Sequence, residues 1–526
     1  MRTVLLGVLI VAAMPVAANT VGCAGGSVFL DRNGNGVRDA REPGLAGVAV
    51  SDGERIVSSD RKGRYRLDTE SGKTTFLIKP AGFHAFTRAD GLADVWANVQ
   101  LSAGPTLRYG GVPSASPACK DFALVRDHGT AGTALDVLVF GDPQPKSLLQ
   151  VGYYQRDIVA PLQGKQRAQL AISLGDLVDD NLSLYPALKA VDATLRIPWL
   201  HAPGNHDLDF DAGSDEQSLG SFRHAFGPDT YAWEEAQANF LVLDDVIYLP
   251  GNKPAYIGGF REQQFNFLSA YLATADKQKL LVLAMHIPLF DASPGVATFR
   301  HADRERLFAL LLPFANVLVL SAHSHSQRHF FHGPASGWLG DKPLHEYNVG
   351  AACGAYWTGL KDAAGIPAAT MSDGTPNGHA LLSVDHGAFK LRWFAARAAD
   401  DFQIALHAPK VLRHGAYPAF AVYANIFMGQ DDTVVEYRID DGAWKPMVHT
   451  LQADPGLLAE NALDDAAQSL RGFDRSPEAS PSAHVWRGTL ATDLHAGSHK
   501  VSVRANIEGY GLAQASTDYR LDDASP

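Results

Sequence analysis

Residues 170–180, LAISLGDLVDD, restrict this chain more than any other stretch. The apolar run over Leu170–Leu174 reads as a buried strand that breaks at Gly175 and at once presents Asp176, Asp179 and Asp180. Three carboxylates at the end of a buried strand repel one another, so the place needs a cation or thorough solvation. The arrangement recurs along the middle of the chain. VLVFGDPQ ends in Asp142 and Gln144, IPWLHAPGNHD in Asn205, His206 and Asp207, LLVLAMH in His286, and VLVLSAHSH in His323 and His325. Polar residues at the carboxyl ends of buried strands are where open α/β sheets put their sites. Helical patterns over residues 148–162, 184–195, 261–275 and 304–314 alternate with the strands, so a layered α/β domain is expected over residues 130–395.

The donors gathered in this way are carboxylates, amides and imidazoles. That mixture suits manganese, iron or zinc, and magnesium too. Without thiolates it does not suit an iron–sulfur cluster or a structural zinc. Two such ions about 3.5–4 Å apart form a clamp for phosphate esters. His201, His224, His301 and His329 lack the strand-end placement and read as core or surface residues.

Taken in order, D-x-Q, G-D-x-x-D, G-N-H-D, a lone His and A-H-S-H resemble the motif set of the calcineurin-like metallophosphoesterases, D-x-H, G-D-x-x-D, G-N-H-[D/E], H and G-H-x-H. The resemblance covers about residues 135–385 and is specific because five blocks occur in order. It implies a layered β-sandwich with flanking helices and two divalent metal ions. Asp142, Gln144 and His325 would bind the first ion, Asn205, His286 and His323 the second, and Asp176 would bridge them. His206 would be the general acid, held by Asp207, and Asp179 would hold its loop. The implied reaction is direct hydrolysis of a phosphate ester by a metal-bridging hydroxide. Two positions depart from the pattern. Gln144 stands where many members have His, which makes the first site a weaker or harder one. Ala322 stands where they have Gly, which is tolerable unless the turn needs a positive φ there. The Gly- and aromatic-rich loop that follows suggests that Tyr356, Trp357, Asp373, Asn377 and His379 line the substrate entrance. A phosphomonoester is the expected substrate. The alternatives are a lipid or nucleotide diester and, outside catalysis, a metal-binding surface protein.

Residues 26–125 and 400–526 carry alternating short runs with turn residues between them and read as two small all-β domains, the second a β-sandwich. In the first, Asp31, Asn33, Asn35, Asp39 and Glu42, with Gly36 at the sharp turn, have the spacing of a calcium loop. Pro43-Gly44 follows where an EF-hand would start its helix. A structural calcium is expected, and the alternative is a turn whose side chains bond their own backbone.

Residues 1–18 read as an export signal, with Arg2, an apolar segment and a Val16-Ala17-Ala18 cleavage site, so a bacterial periplasmic location is expected. No later stretch has the length and apolarity of a transmembrane helix. Cys23 and Cys119 bracket the first β-domain and could pair. Lipidation of Cys23 is the rival reading, weakened by Thr20 where an aliphatic residue is usual. Cys353 reads as a buried free thiol. A formal net charge of -12, with no lysine or arginine run, argues against nucleic acid as a partner. An anionic small substrate is still compatible, because bound cations dominate a local field.

Overall fold

The computed structural model describes residues 26–115, 120–127, 134–291, 295–417 and 420–524. The signal peptide and the Cys23–Cys119 pairing or lipid anchor lie outside them. No helix among the described residues is long and apolar enough to cross a membrane.

Two large sheets occupy the centre. In chain order their strands are β1 (Leu135–Phe140), β2 (Leu170–Leu174), β3 (Trp199–Ala202), β4 (Tyr231–Glu234), β5 (Ala238–Val242), β6 (Leu280–Ala284), β7 (Val317–Ser321), β8 (Arg328–His332), β9 (Leu344–Asn348), β10 (Gly378–Asp385) and β11 (Ala388–Ala395). One sheet has the order β3-β2-β1-β10-β11, the other β4-β5-β6-β7-β9-β8. β1, β2 and β3 run parallel, with Leu170 beside Val137 and Ala171 beside Trp199. In the second sheet β5, β6, β7 and β9 are parallel as well. Every residue of β2 and β6 is buried, which is why these strands appear in the sequence as unbroken apolar runs. In β10 buried and half-buried residues alternate, as in a strand covered more on one face than the other. Apolar side chains of both sheets belong to one continuous core.

The expected helices form with local changes of pitch. Residues 148–162 begin as an α-helix, Leu148–Tyr154, whose Ser147 hydroxyl accepts the Gln150 N–H. A π-helical turn, Gln155–Val159, follows, then a 3-10 turn, Ala160–Leu162. The π turn carries Asp157, whose buried carboxylate meets Arg397 Nε at 3.1 Å and Asn377 Nδ2 at 2.9 Å. The helix Glu262–Thr274 buries Phe265, Leu268 and Leu272, the stripe its spacing predicts.

The flanking regions are β structures. The N-terminal one holds two four-stranded sheets, and the C-terminal one holds a four-stranded and a five-stranded sheet. The polar segment before Ser480 contains a helix, Pro455–Ala466, capped by the Asp454 carboxylate on Leu457 N–H. Both regions are tied to the centre by buried groups. Lys79, 1% exposed, donates to Glu235 Oε1 at 2.6 Å and to the Glu234 carbonyl at 2.9 Å. Asp373 accepts from His484 Nε2 of the C-terminal region at 3.1 Å.

Candidate metal centre

The parallel strands end on one edge of each sheet, and the two edges meet. Asp142 and Asp176 follow β1 and β2. Asn205 and His206 follow β3, while His286 follows β6 and His323 and His325 follow β7. His286 Nε2 lies 3.3 Å from Asp176 Oδ1 and 3.0 Å from Asn205 Oδ1. His323 Nδ1 is 3.1 Å from His286 Nε2, and His325 Nε2 is 3.8 Å from Asp142 Oδ1. On the other oxygen of Asp176, Gln144 Nε2 approaches to 3.2 Å. Asp176 therefore stands between Gln144 on one side and the His286–Asn205–His323 group on the other. Turning the Gln144 amide over would present its Oε1 to a metal on that side.

The backbone explains why so many donors can face inward. Asp142, Gln144, Asp176, His323 and His325 all adopt left-handed φ, between 40° and 70°. Such conformations cost about 1–3 kcal/mol each in non-glycine residues and persist only where surroundings over-determine them. Here the pins are visible. The His323 N–H donates to both carboxylate oxygens of Asp142 at 3.2 Å. The buried Asn348 side chain bonds the Ala322 carbonyl and the Ser324 hydroxyl. The positive φ falls on His323, so Ala322 is accommodated, fully buried. Gly175, at φ +92°, packs backbone to backbone on Gly204. A Cβ on Gly204 would lie 2.2 Å from the Asp176 amide nitrogen, so this pair of loops needs both glycines.

The cluster draws positive charge. Burial raises the Asp142 carboxyl above its ordinary value, opposed by His325 and His286. Burial also works against charge on His286, yet Asp176, Asp142 and Asp245 raise it to about 9. The same burial, with His286 beside it, pushes His323 down to about 3. Among the described residues the recorded cationic partners of Asp142 and Asp176 are histidines, with no lysine or arginine. Two buried carboxylates, an asparagine oxygen, a glutamine and three imidazoles fit divalent ions of the manganese, iron or zinc type.

His206 borders this group, its backbone N–H donating to Asp176 Oδ1 at 2.8 Å. Its side chain corrects the sequence reading. The Asp207 carboxylate is not its partner. Asp207 is buried and accepts from Gly204 N at 2.9 Å, Leu177 N at 3.1 Å and Tyr185 OH at 3.0 Å, because its 3-10 turn points it back into the loop. Burial and the nearby Asp176 charge raise it to about 7. His206 Nδ1 meets Asp180 Oδ1 at 2.7 Å and Asp179 Oδ1 at 3.2 Å instead. Burial opposes its charge, but the bonds to Asp179 and Asp180 raise it to about 11. Asp179 also takes Lys146 Nζ at 3.0 Å, and that ammonium lies 5.1 Å from the Tyr356 ring centre. Asp176–His286–His323 and Asp179–Asp180–His206 each bring their donor atoms within 4.8 Å of one another.

The expected entrance residues divide. Tyr356 is 41% exposed and its ring lies 4.7 Å from that of His325, at the mouth of the centre. Trp357, Asp373, Asn377 and His379 do not line an entrance. Trp357 is fully buried, its indole N–H on the Pro143 carbonyl at 3.0 Å. Asn377 is bonded to Asp157 and to the Ala352 carbonyl in the core. His379 is stacked between Phe140 and Phe394, and burial lowers it to about 4. Asp373 joins the C-terminal region. The loop folds back under that region, which aromatic and amide composition does not reveal. Asp245 and Tyr256, and the position of Cys353, are neighbours of the centre that no sequence spacing indicates. Asp245 caps the His286 and Ile287 N–H groups at 3.1 and 2.9 Å. Tyr256 meets His323 edge-on at 6.0 Å. Cys353 is the buried free thiol expected, and it touches both Gln144 and His325 at 3.8 Å.

In the N-terminal region the side chains of residues 31–42 serve their own loop. Asp31 accepts from Gly34, Asn35 and Gly36 N–H groups, Asn35 Oδ1 accepts from Val37 N, and Glu42 accepts from Arg32 and Asp39.

Three family models match the chain. "Calcineurin-like phosphoesterase" matches residues 135–327, "N terminal of Calcineurin-like phosphoesterase" residues 32–108, and "C terminal of Calcineurin-like phosphoesterase" residues 346–511. No curated protein is significantly similar in sequence. Solved structures with weak similarity include a purple acid phosphatase from yellow lupin (Lupinus luteus) seeds, 13% identical over 66% of this chain and 67% of that one, with a TM-score of 0.38. Another is a dimetal phosphatase from Danio rerio, 16% identical over 50% of this chain and 97% of that one, with a TM-score of 0.34.

Proposed function

The chain belongs to the calcineurin-like phosphoesterases and is a metal-dependent phosphoesterase, and from that premise we propose that it is an exported dinuclear phosphomonoesterase. The observation that carries the reading is the meeting of Asp142 and Asp176 from one sheet with His286, His323 and His325 from the other. In this reading Asp142, Gln144 and His325 hold one divalent ion, Asn205, His286 and His323 a second, and Asp176 serves both. Two ions there would supply a water acidic enough to attack phosphorus at neutral pH and would neutralise charge on the phosphoryl oxygens. His206 has Nδ1 occupied by Asp180 and Asp179, which leaves Nε2 to give its proton to the leaving oxygen. Tyr356 and Lys146 form the rim that the substrate passes. The leader-like N-terminus supports a periplasmic location, and the oxygen-rich loop at residues 31–42 is assigned a structural calcium.

The test is turnover of the manganese-loaded mature protein on p-nitrophenyl phosphate and bis-p-nitrophenyl phosphate in parallel. Preference for the monoester is expected. Preference for the diester would replace this reading with a diesterase acting on lipid or nucleotide esters.

A further inference from the structure

We propose that His484, in the C-terminal β-domain, is a positioning residue for the His325 end of the metal centre, acting through Asp373 and Gln327. This rests on the reading of His325 as a metal ligand.

The connection is continuous and buried. His484 lies on the strand Pro481–Thr489 and is 2% exposed. Its Nε2 meets Asp373 Oδ2 at 3.1 Å, and its Nδ1 meets Asn425 Oδ1 at 2.7 Å. Asn425, on the strand Ala421–Ile426, donates from Nδ2 to the Asp373 carbonyl at 3.0 Å and to Asp454 Oδ2 at 3.1 Å. Side chain and main chain of Asp373 are thus both fixed by the C-terminal domain, in a closed ring of bonds. The same oxygen, Asp373 Oδ2, also accepts the Gln327 N–H at 2.7 Å. Gln327 is buried, held at Oε1 by Tyr347 OH at 2.5 Å, and follows His325 by two residues.

The loop from Ala322 to Gln327 carries left-handed φ at both His323 and His325. A loop in that state needs a pin at each end. Asp142 and Asn348 pin its start. Asp373 pins its finish, and His484 holds Asp373. Burial opposes the charge of Asp373, but His484 and the Gln327 and Thr375 N–H groups hold its carboxyl below the ordinary value, as fits a permanent acceptor. The C-terminal domain on this account is a strut under the first ion.

The experiment is calorimetric titration of manganese into metal-free full-length protein, comparing wild type, His484→Gln, Asp373→Asn and His499→Gln. His499 is equally buried in the same domain but pairs with Asp440, away from the loop. Wild type should bind two ions. His484→Gln and Asp373→Asn should weaken one step by about tenfold and spare the other, the low end of what groups supporting a ligand contribute. His499→Gln should change neither step. Wild-type affinities in a folded His484→Gln protein, or in Asp373→Asn if His484→Gln does not fold, overturn the proposal alone. Equal weakening in His499→Gln overturns it as well, since general loosening of the domain would then suffice. Fewer than two ions in wild type overturns the ligand reading and this proposal together.

Discussion

The metal centre and the loop at residues 31–42 both gather acidic and amide side chains, and they are built in opposite ways. In the loop the oxygens take N–H groups from within residues 31–42, so the structure is local and neither sheet of the central region takes part. In the centre the donors come from five strand ends in two sheets, and their mutual bonds span 32 to 181 residues of sequence. The loop's carboxylates take N–H groups of the same loop and keep further lone pairs, which the proposed calcium would use. The centre leaves buried carboxylates facing imidazoles, and does so with left-handed φ at Asp142, Asp176, His323 and His325. Oxygen-rich sequence alone therefore does not separate a turn from a reactive site. Both contain buried carboxylates, Asp31 and Glu42 in the loop and Asp142 and Asp176 in the centre, and what separates them is long-range convergence and left-handed φ on non-glycine residues.

Changes in the centre should therefore remove chemistry, and changes in the loop only stability. The largest effect is expected for Asp176→Ala. It should abolish nearly all turnover and lower the affinity for both ions, because one carboxylate faces both donor groups; metal analysis beside kinetics checks this. His206→Ala should keep both ions and slow turnover by about 10²–10⁴-fold, the usual share of a general acid. Loss of metal in that variant would move His206 into the ligand set. Asp31→Ala should cost about 1–3 kcal/mol of stability, since it orphans backbone N–H groups, with turnover unchanged. Calcium should raise the melting temperature of wild type and not of this variant, as read by scanning calorimetry.

The smallest expected effect concerns His379. Its folded value lies below the unfolded one, so the unfolded chain takes up the proton first. Stability is present above about pH 6.5 and is lost as pH falls towards about 4. His379→Phe should soften that acid loss and leave KM unchanged. A raised KM would return His379 to the substrate.

Much of the centre was legible in the sequence because its strands are covered on both faces. β2 and β6 appear as plain apolar runs, and their ligands follow within two residues. The partner of His206 was not legible. Asp207 is adjacent in sequence, but its turn directs it to Gly204 and Tyr185, and Asp180 arrives from a loop 26 residues earlier. For the same reason Asp245 was not legible, nor was the place of the buried thiol Cys353 beside Gln144 and His325, since no spacing links them. The loop after β9 misled in the other direction. Trp357 and Asn377 look like a binding face, yet tertiary packing buries them. The part played by Asp373 is set by His484, 111 residues further on.

Strand ends from two sheets are proposed to assemble one dinuclear metal site. The most direct measurement is a titration of metal-free wild-type protein with manganese, following bound ions and turnover of p-nitrophenyl phosphate on the same samples. Two ions should bind per chain, with turnover rising as the second site fills. One ion at saturation, or full turnover in the metal-free protein, would contradict it.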